Sequence, residues 1–114
     1  MKVEELEEYK KDLKKLSKKY KTLPEDMKVV QKVLFVNANE RPPFSFRIDN
    51  LRLETCVIKV KKIASRSFKG RGVQSGFRLI YAHFKTEDRI VLIELYHKSN
   101  KDTEDKERIL KNFI

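Results

Sequence analysis

The 114-residue sequence predicts one α+β domain spanning residues 1–114: an N-terminal antiparallel helical hairpin packed on an antiparallel β-sheet, closed by a short C-terminal helix. Apolar residues recur at spacings of three and four through residue 36, three segments between residues 55 and 97 carry strand patterns, and helical spacing returns near the end. The length suits one hydrophobic core.

The first helix is expected over residues 3–20, where Val3, Leu6, Tyr9, Leu13, Leu16 and Tyr20 form one stripe. Thr22-Leu23-Pro24-Glu25 has the form of a capping box, with Pro24 in a first turn where no donor is lost. A second helix then runs to about Val36, with Met27, Val30, Val33 and Leu34 inward. The short link between the helices implies a hairpin. Asn37, Asn39 and Pro42-Pro43 make residues 37–53 irregular, and Phe44, Phe46, Ile48, Leu51 and Leu53 are expected to pin that segment to the core.

Residues 55–63 alternate, with Cys56, Ile58 and Val60 on one face and Val57, Lys59 and Lys61 on the other. Residues 76–84 and 89–97 are rich in β-branched and aromatic side chains and read as central strands joined by a turn at Lys85–Asp88. Ser65–Ser75 is a basic loop holding Gly70 and Gly72. The tail from about Thr103 is amphipathic through Ile109, Leu110 and Phe113, with Asp102 or Thr103 as its cap. Helices on one sheet face would leave the other face free for function.

Lys and Arg number 27 against 17 Asp and Glu, a net charge of +10. Residues 55–72 alone hold Lys59, Lys61, Lys62, Arg66, Lys69 and Arg71 with no acid, so more than half of the excess sits there. Phosphate binding needs cations that no carboxylate cancels, so a polyanion is the expected partner. No apolar run approaches a membrane span, and the N-terminus lacks the apolar stretch of a signal peptide. Cys56 is the single cysteine and there are two histidines, so neither an intrachain disulfide nor a structural zinc site is expected. A cytoplasmic domain with no cofactor, no metal and no membrane partner follows.

Strand parity places Lys59 and Lys61 on one face, Arg78 with Ile80 and Ala82, and Ile90 with Leu92, Glu94 and Tyr96. In-register pairing would gather Lys59, Lys61, Arg78 and the Tyr96-His97-Lys98 end around one groove. Such a set suits metal-independent RNA cleavage: one group takes the ribose 2′-OH proton, another protonates the leaving oxygen, and cations stabilise the charge on phosphorus. A lysine among other cations has its ammonium form disfavoured, which favours a base role for Lys59 or Lys61. Arg78 would clamp the phosphate, and Tyr96 or His97 would serve as the acid. Glu94 and Asp88 are isolated, so a two-metal nuclease is not expected. Against this stand plainer roles: a solvated strand face for the lysines, a salt bridge for Arg78, and core packing for Tyr81, Tyr96 and Cys56.

The strand Ser75-Gly76-Phe77-Arg78-Leu79-Ile80-Tyr81, its preceding Lys69-Gly70-Arg71-Gly72 loop, the Ile90–Leu95 strand, Tyr96-His97-Lys98 and the tail Lys101–Ile109 together resemble the RelE/ParE superfamily of type II toxins, nearest the RelE-like branch. The resemblance spans nearly the whole chain and is weakest over residues 37–53. It implies a microbial-RNase-like fold and an endonuclease that cuts translated mRNA on the ribosome and is silenced by a cognate antitoxin. It implies catalytic roles for Lys59, Lys61, Arg78, Tyr96 and His97. RNA contacts would come from Lys62, Arg66, Lys69, Arg71, Lys98 and Lys101. Two alternatives keep the composition: a ParE-like protein that poisons DNA gyrase without a nuclease site, and a basic nucleic-acid-binding module without catalysis.

Overall fold

The computed structural model describes residues 1–113. In chain order it contains strand β1 (Lys2–Glu5), helices α1 (Glu7–Ser17) and α2 (Leu23–Val36), strands β2 (Ser45–Arg47), β3 (Cys56–Val60), β4 (Phe77–Phe84) and β5 (Arg89–His97), and helix α3 (Lys106–Phe113). The strands form one open sheet in the order β1-β5-β4-β3-β2. It is mixed: β1 runs parallel to β5, and the other neighbours are antiparallel. The fold is α+β, and the expected all-antiparallel sheet is corrected by that one pair.

The correction begins at the N-terminus, where residues expected in a helix form β1. Val3 and Leu6 fit helical spacing, but the open edge of β5 offers backbone partners that local spacing cannot reveal. Lys2 N–H donates to the Asp88 carbonyl at 2.9 Å and Leu6 N–H to that of Leu92 at 3.0 Å. The terminal amine adds an ion pair with Asp88 at 3.2 Å. Helix α1 therefore starts only at Glu7 and stops at Ser17.

The capping box is also absent. Thr22 has helical dihedrals and makes no side-chain cap. Its hydroxyl donates instead to the Asp26 carboxylate at 2.8 Å, which also accepts from the Ser65 hydroxyl at 2.6 Å and the Arg66 N–H at 3.3 Å. Asp26 is buried, so these donors offset its desolvation. The start of α2 is thereby fastened to the basic loop. Met27 and Leu34 point into the core as expected, whereas Val33 joins Val29, Phe35 and Val36 among the exposed apolar side chains.

Two cores sandwich the sheet. On the helix side, Ile58, Val60, Leu79, Tyr81, Ile90, Leu92 and Leu95 pack with Tyr9, Leu23 and Met27, and Cys56 packs against their margin. On the other side, Val57, Ile80, Ala82, Val91, Ile93 and Tyr96 pack with Leu51 and Ile109. That second face was expected to be free. It is mostly covered, by α3 and by the segment carrying Ile48, Leu51 and Leu53. Arg108 ties α3 down by donating to the Asp12 carboxylate at 2.7 Å and the Ile93 carbonyl at 2.9 Å.

The β4–β5 register shifts between Ile80 and Tyr81, which pair with Glu94 and Leu92. The extra residue, Ile93, is a bulge. Ile90 and Leu92 accordingly face the helix-side core while Tyr96 faces the opposite one, which corrects the expected single face for Ile90, Leu92, Glu94 and Tyr96.

Candidate nucleic-acid interface

The cover on the second face stops short of the sheet end where β3, β4 and β5 enter and leave. There an open groove of about 370 Å³ is lined by Pro43, Phe46, Lys61, Lys62, Gln74, Gly76, Arg78 and Lys98. Lys61 follows the last residue of β3, Val60, which pairs with Leu79, and the antiparallel β4 brings Arg78 opposite it. Arg78 donates from Nη1 to the Lys61 carbonyl at 2.9 Å and to its neighbour Phe77 at 3.3 Å. These bonds hold the guanidinium by backbone carbonyls, and among the described residues the salt bridge considered for Arg78 does not form. Among the described residues, none of Lys61, Lys62, Arg78 and Lys98 is ion-paired.

Gly76 shapes the groove wall. It sits at φ +94°, and a Cβ there would lie 2.7 Å from the His97 ring. Only glycine both adopts that dihedral and lets the ring approach. The Lys98 N–H donates to the Gly76 carbonyl at 2.9 Å, which brings Lys98 back over the strand entrance.

The other sequence candidates lie elsewhere. Lys59 shares the face of Lys61 and Arg78, but its ammonium pairs with Glu104 at 3.0 Å, the side chains being 15% and 9% exposed. Burial opposes its charge. The adjoining Tyr96 phenol and the Glu104 carboxylate outweigh that and hold it above the usual lysine range. This reverses the shift a base role needs. Sequence gave no hint of this, because Glu104 comes from the tail before α3.

Lys101 pairs with the buried Glu94 at 2.6 Å, and Glu94 also accepts from the Asp105 N–H at 2.8 Å. Glu94 is thus the anchor for the tail rather than an isolated acid. Lys59 and Lys101 flank the Tyr96 ring, with ammonium-to-centroid distances of 5.8 and 5.2 Å. Tyr96 itself is buried.

His97 lies on the opposite face from Arg78. It is 5% exposed, stacks on Phe68 and Tyr20 at 5.0 and 5.6 Å, and bonds through Nε2 with the Ser75 carbonyl at 2.8 Å. The odd parity of position 97 against 96 and 98 carried that signal. Its ring locks the basic loop to the strand end and does not reach the groove.

Arg66, Lys69 and Arg71 belong to that loop but do not line the groove. Arg66 and Lys69 border a shallow depression with Val29 and Phe68, and Arg71 lies 6.0 Å over the Phe68 ring. Of the eleven candidates, the groove gathers Lys61, Lys62, Arg78 and Lys98. Sequence reasoning missed Phe46, which was assigned to the core and instead lies on the groove wall, 38% exposed. No local signal marked it: beside Ser45 the aromatic ring is the residue expected to turn inward, yet Ser45 is buried and both Phe46 and Arg47 are exposed.

Among the described residues, no group of three His, Cys, Asp or Glu side chains could hold a metal ion, and no helix is long and apolar enough to cross a membrane. Comparison with protein-family models, curated proteins and solved structures finds no match for this chain.

Proposed function

We propose that the Lys61–Arg78–Lys98 groove binds RNA and that the protein is a ribosome-dependent mRNA endonuclease, a RelE-like toxin silenced by a cognate antitoxin. One observation carries the reading: four cations converge on one groove with no carboxylate partner among the described residues. In the proposed reaction the ribose 2′-oxygen attacks the adjacent phosphorus as its proton passes to Lys61, which acts in the turnovers where its side chain has given up its own proton to solvent and is a neutral amine. Arg78 holds the non-bridging oxygens of the phosphorane. The bond to the 5′-oxygen breaks, and the Lys98 ammonium protonates that oxygen. The products are a 2′,3′-cyclic phosphate and a 5′-hydroxyl. So few acid–base groups leave RNA positioning, supplied by the ribosome, as the larger contribution.

The antitoxin is expected to lay an acidic segment over the same cations and to lose affinity as salt rises. RNA affinity should fall likewise, with a log–log salt slope of roughly −3 for four phosphate contacts on a single strand. Cleavage is tested on programmed ribosome complexes by analysing the cut ends. A 5′-phosphate product, or cutting of a substrate with 2′-deoxyribose at the site, refutes the mechanism. The burial of Tyr96 and His97 away from the groove favours a second reading, an RNA-binding module without catalysis, which predicts binding with intact RNA. A gyrase poison of the ParE kind predicts that DNA synthesis, rather than translation, stops first after induction in bacteria.

A further inference from the structure

Resting on the reading of the groove as an RNA site, we propose that Phe46 is a base-stacking platform and that the groove accepts unpaired rather than duplex RNA. Phe46 stands opposite Lys59 in the β2–β3 register, so it shares the sheet face of Lys59 and Lys61. It lies outside both apolar cores and keeps 38% of its surface exposed. The Lys61 ammonium is 5.6 Å from its ring centre, and Pro43 continues the same wall. Across the groove stand Gly76, Arg78 and Lys98.

Four unpaired cations account for a phosphate, but they do not call for an exposed aromatic ring between them and the sheet edge. A ring beside a phosphate site matches the next group along the chain, the base. Every base has an aromatic face, so the platform tolerates any sequence. In a duplex those faces are covered by neighbouring bases, so only an unpaired nucleotide can offer one while its phosphate reaches Arg78.

The test uses the full chain with a labelled single-stranded RNA and the matching duplex, read by fluorescence anisotropy, with circular dichroism confirming that each variant is folded. Phe46→Leu should weaken single-strand binding roughly ten- to a hundredfold and leave duplex binding within about threefold. The chain contains no tryptophan, so Phe46→Trp places one indole in the groove. That variant should keep single-strand affinity, and its fluorescence should be quenched by the single strand and not by the duplex. Equal losses for both RNA forms, no loss in Phe46→Leu, or an unquenched indole at saturation overturns the stacking role while leaving the cationic groove standing. A native chain that binds neither RNA form overturns the groove reading as well.

Discussion

Replacing Lys59 by methionine should destabilise the fold, because Lys59 is a strut. The variant keeps an aliphatic stem at this β3 position but leaves the Glu104 carboxylate, 9% exposed, without its partner at 3.0 Å. Losing a charge-assisted hydrogen bond costs about 1.5–3 kcal/mol, and stranding one member of a fully buried pair costs about 3–5 kcal/mol. This pair is slightly exposed, so the expected loss is about 2–3 kcal/mol. For a domain of this size that lowers Tm by about 8–12 °C. Lys59→Met/Glu104→Gln should recover much of the loss, since it removes the stranded charge.

The pH dependence has a worked sign. Burial pushes the Glu104 carboxyl up, but hydrogen bonds from its own backbone N–H and from Lys59 bring it below its ordinary value of 4.5. Its contribution is therefore present above about pH 4.5 and lost as the pH falls through the lower folded value. Lys59 is raised above 10.5, so its contribution is present below that pH and lost as the pH rises through the folded value. The stability gap between the native chain and the double variant should be flat between those limits and close outside them. Thermal melts across pH, run beside an RNA-cleavage assay, decide the matter. A Lys59→Met protein with unchanged Tm and no cleavage would refute the strut and restore Lys59 as the base.

Arg78→Ala should abolish growth arrest and reduce cleavage about a hundredfold or more, as for loss of one transition-state donor, with only a small change in Tm; a variant that unfolds would show that Arg78 holds the fold instead. Gly76→Ala should be among the most damaging single-methyl changes, costing about 2 kcal/mol or more from its positive φ and the clash with His97; denaturant melts measure this, and a loss below about 0.5 kcal/mol contradicts the close packing. Arg108→Met should release α3, seen as faster amide exchange over residues 106–113 and on β5 near Ile93; unchanged protection there would mean that Ile109 and Phe113 hold the helix unaided.

Composition and alternation determined much of this protein. The acid-free run from Lys59 to Arg71 marked the cationic end, the alternation of β3 put Lys59 and Lys61 on one face, and the apolar runs of β4 and β5 named the sheet centre. These are properties of neighbouring residues, so a local reading reaches them. Tertiary structure decided the rest because each remaining choice depended on a distant partner. The β5 edge turned residues 2–5 from helix to strand. The bulge at Ile93 changed which β5 side chains share a face. Glu104 and Glu94 took Lys59 and Lys101 out of the free cations, leaving Lys61, Lys62, Arg78 and Lys98 with Phe46 beside them. Charge is legible in sequence, but whether a charge is neutralised depends on a separation of a few ångströms, and only the folded chain sets that distance.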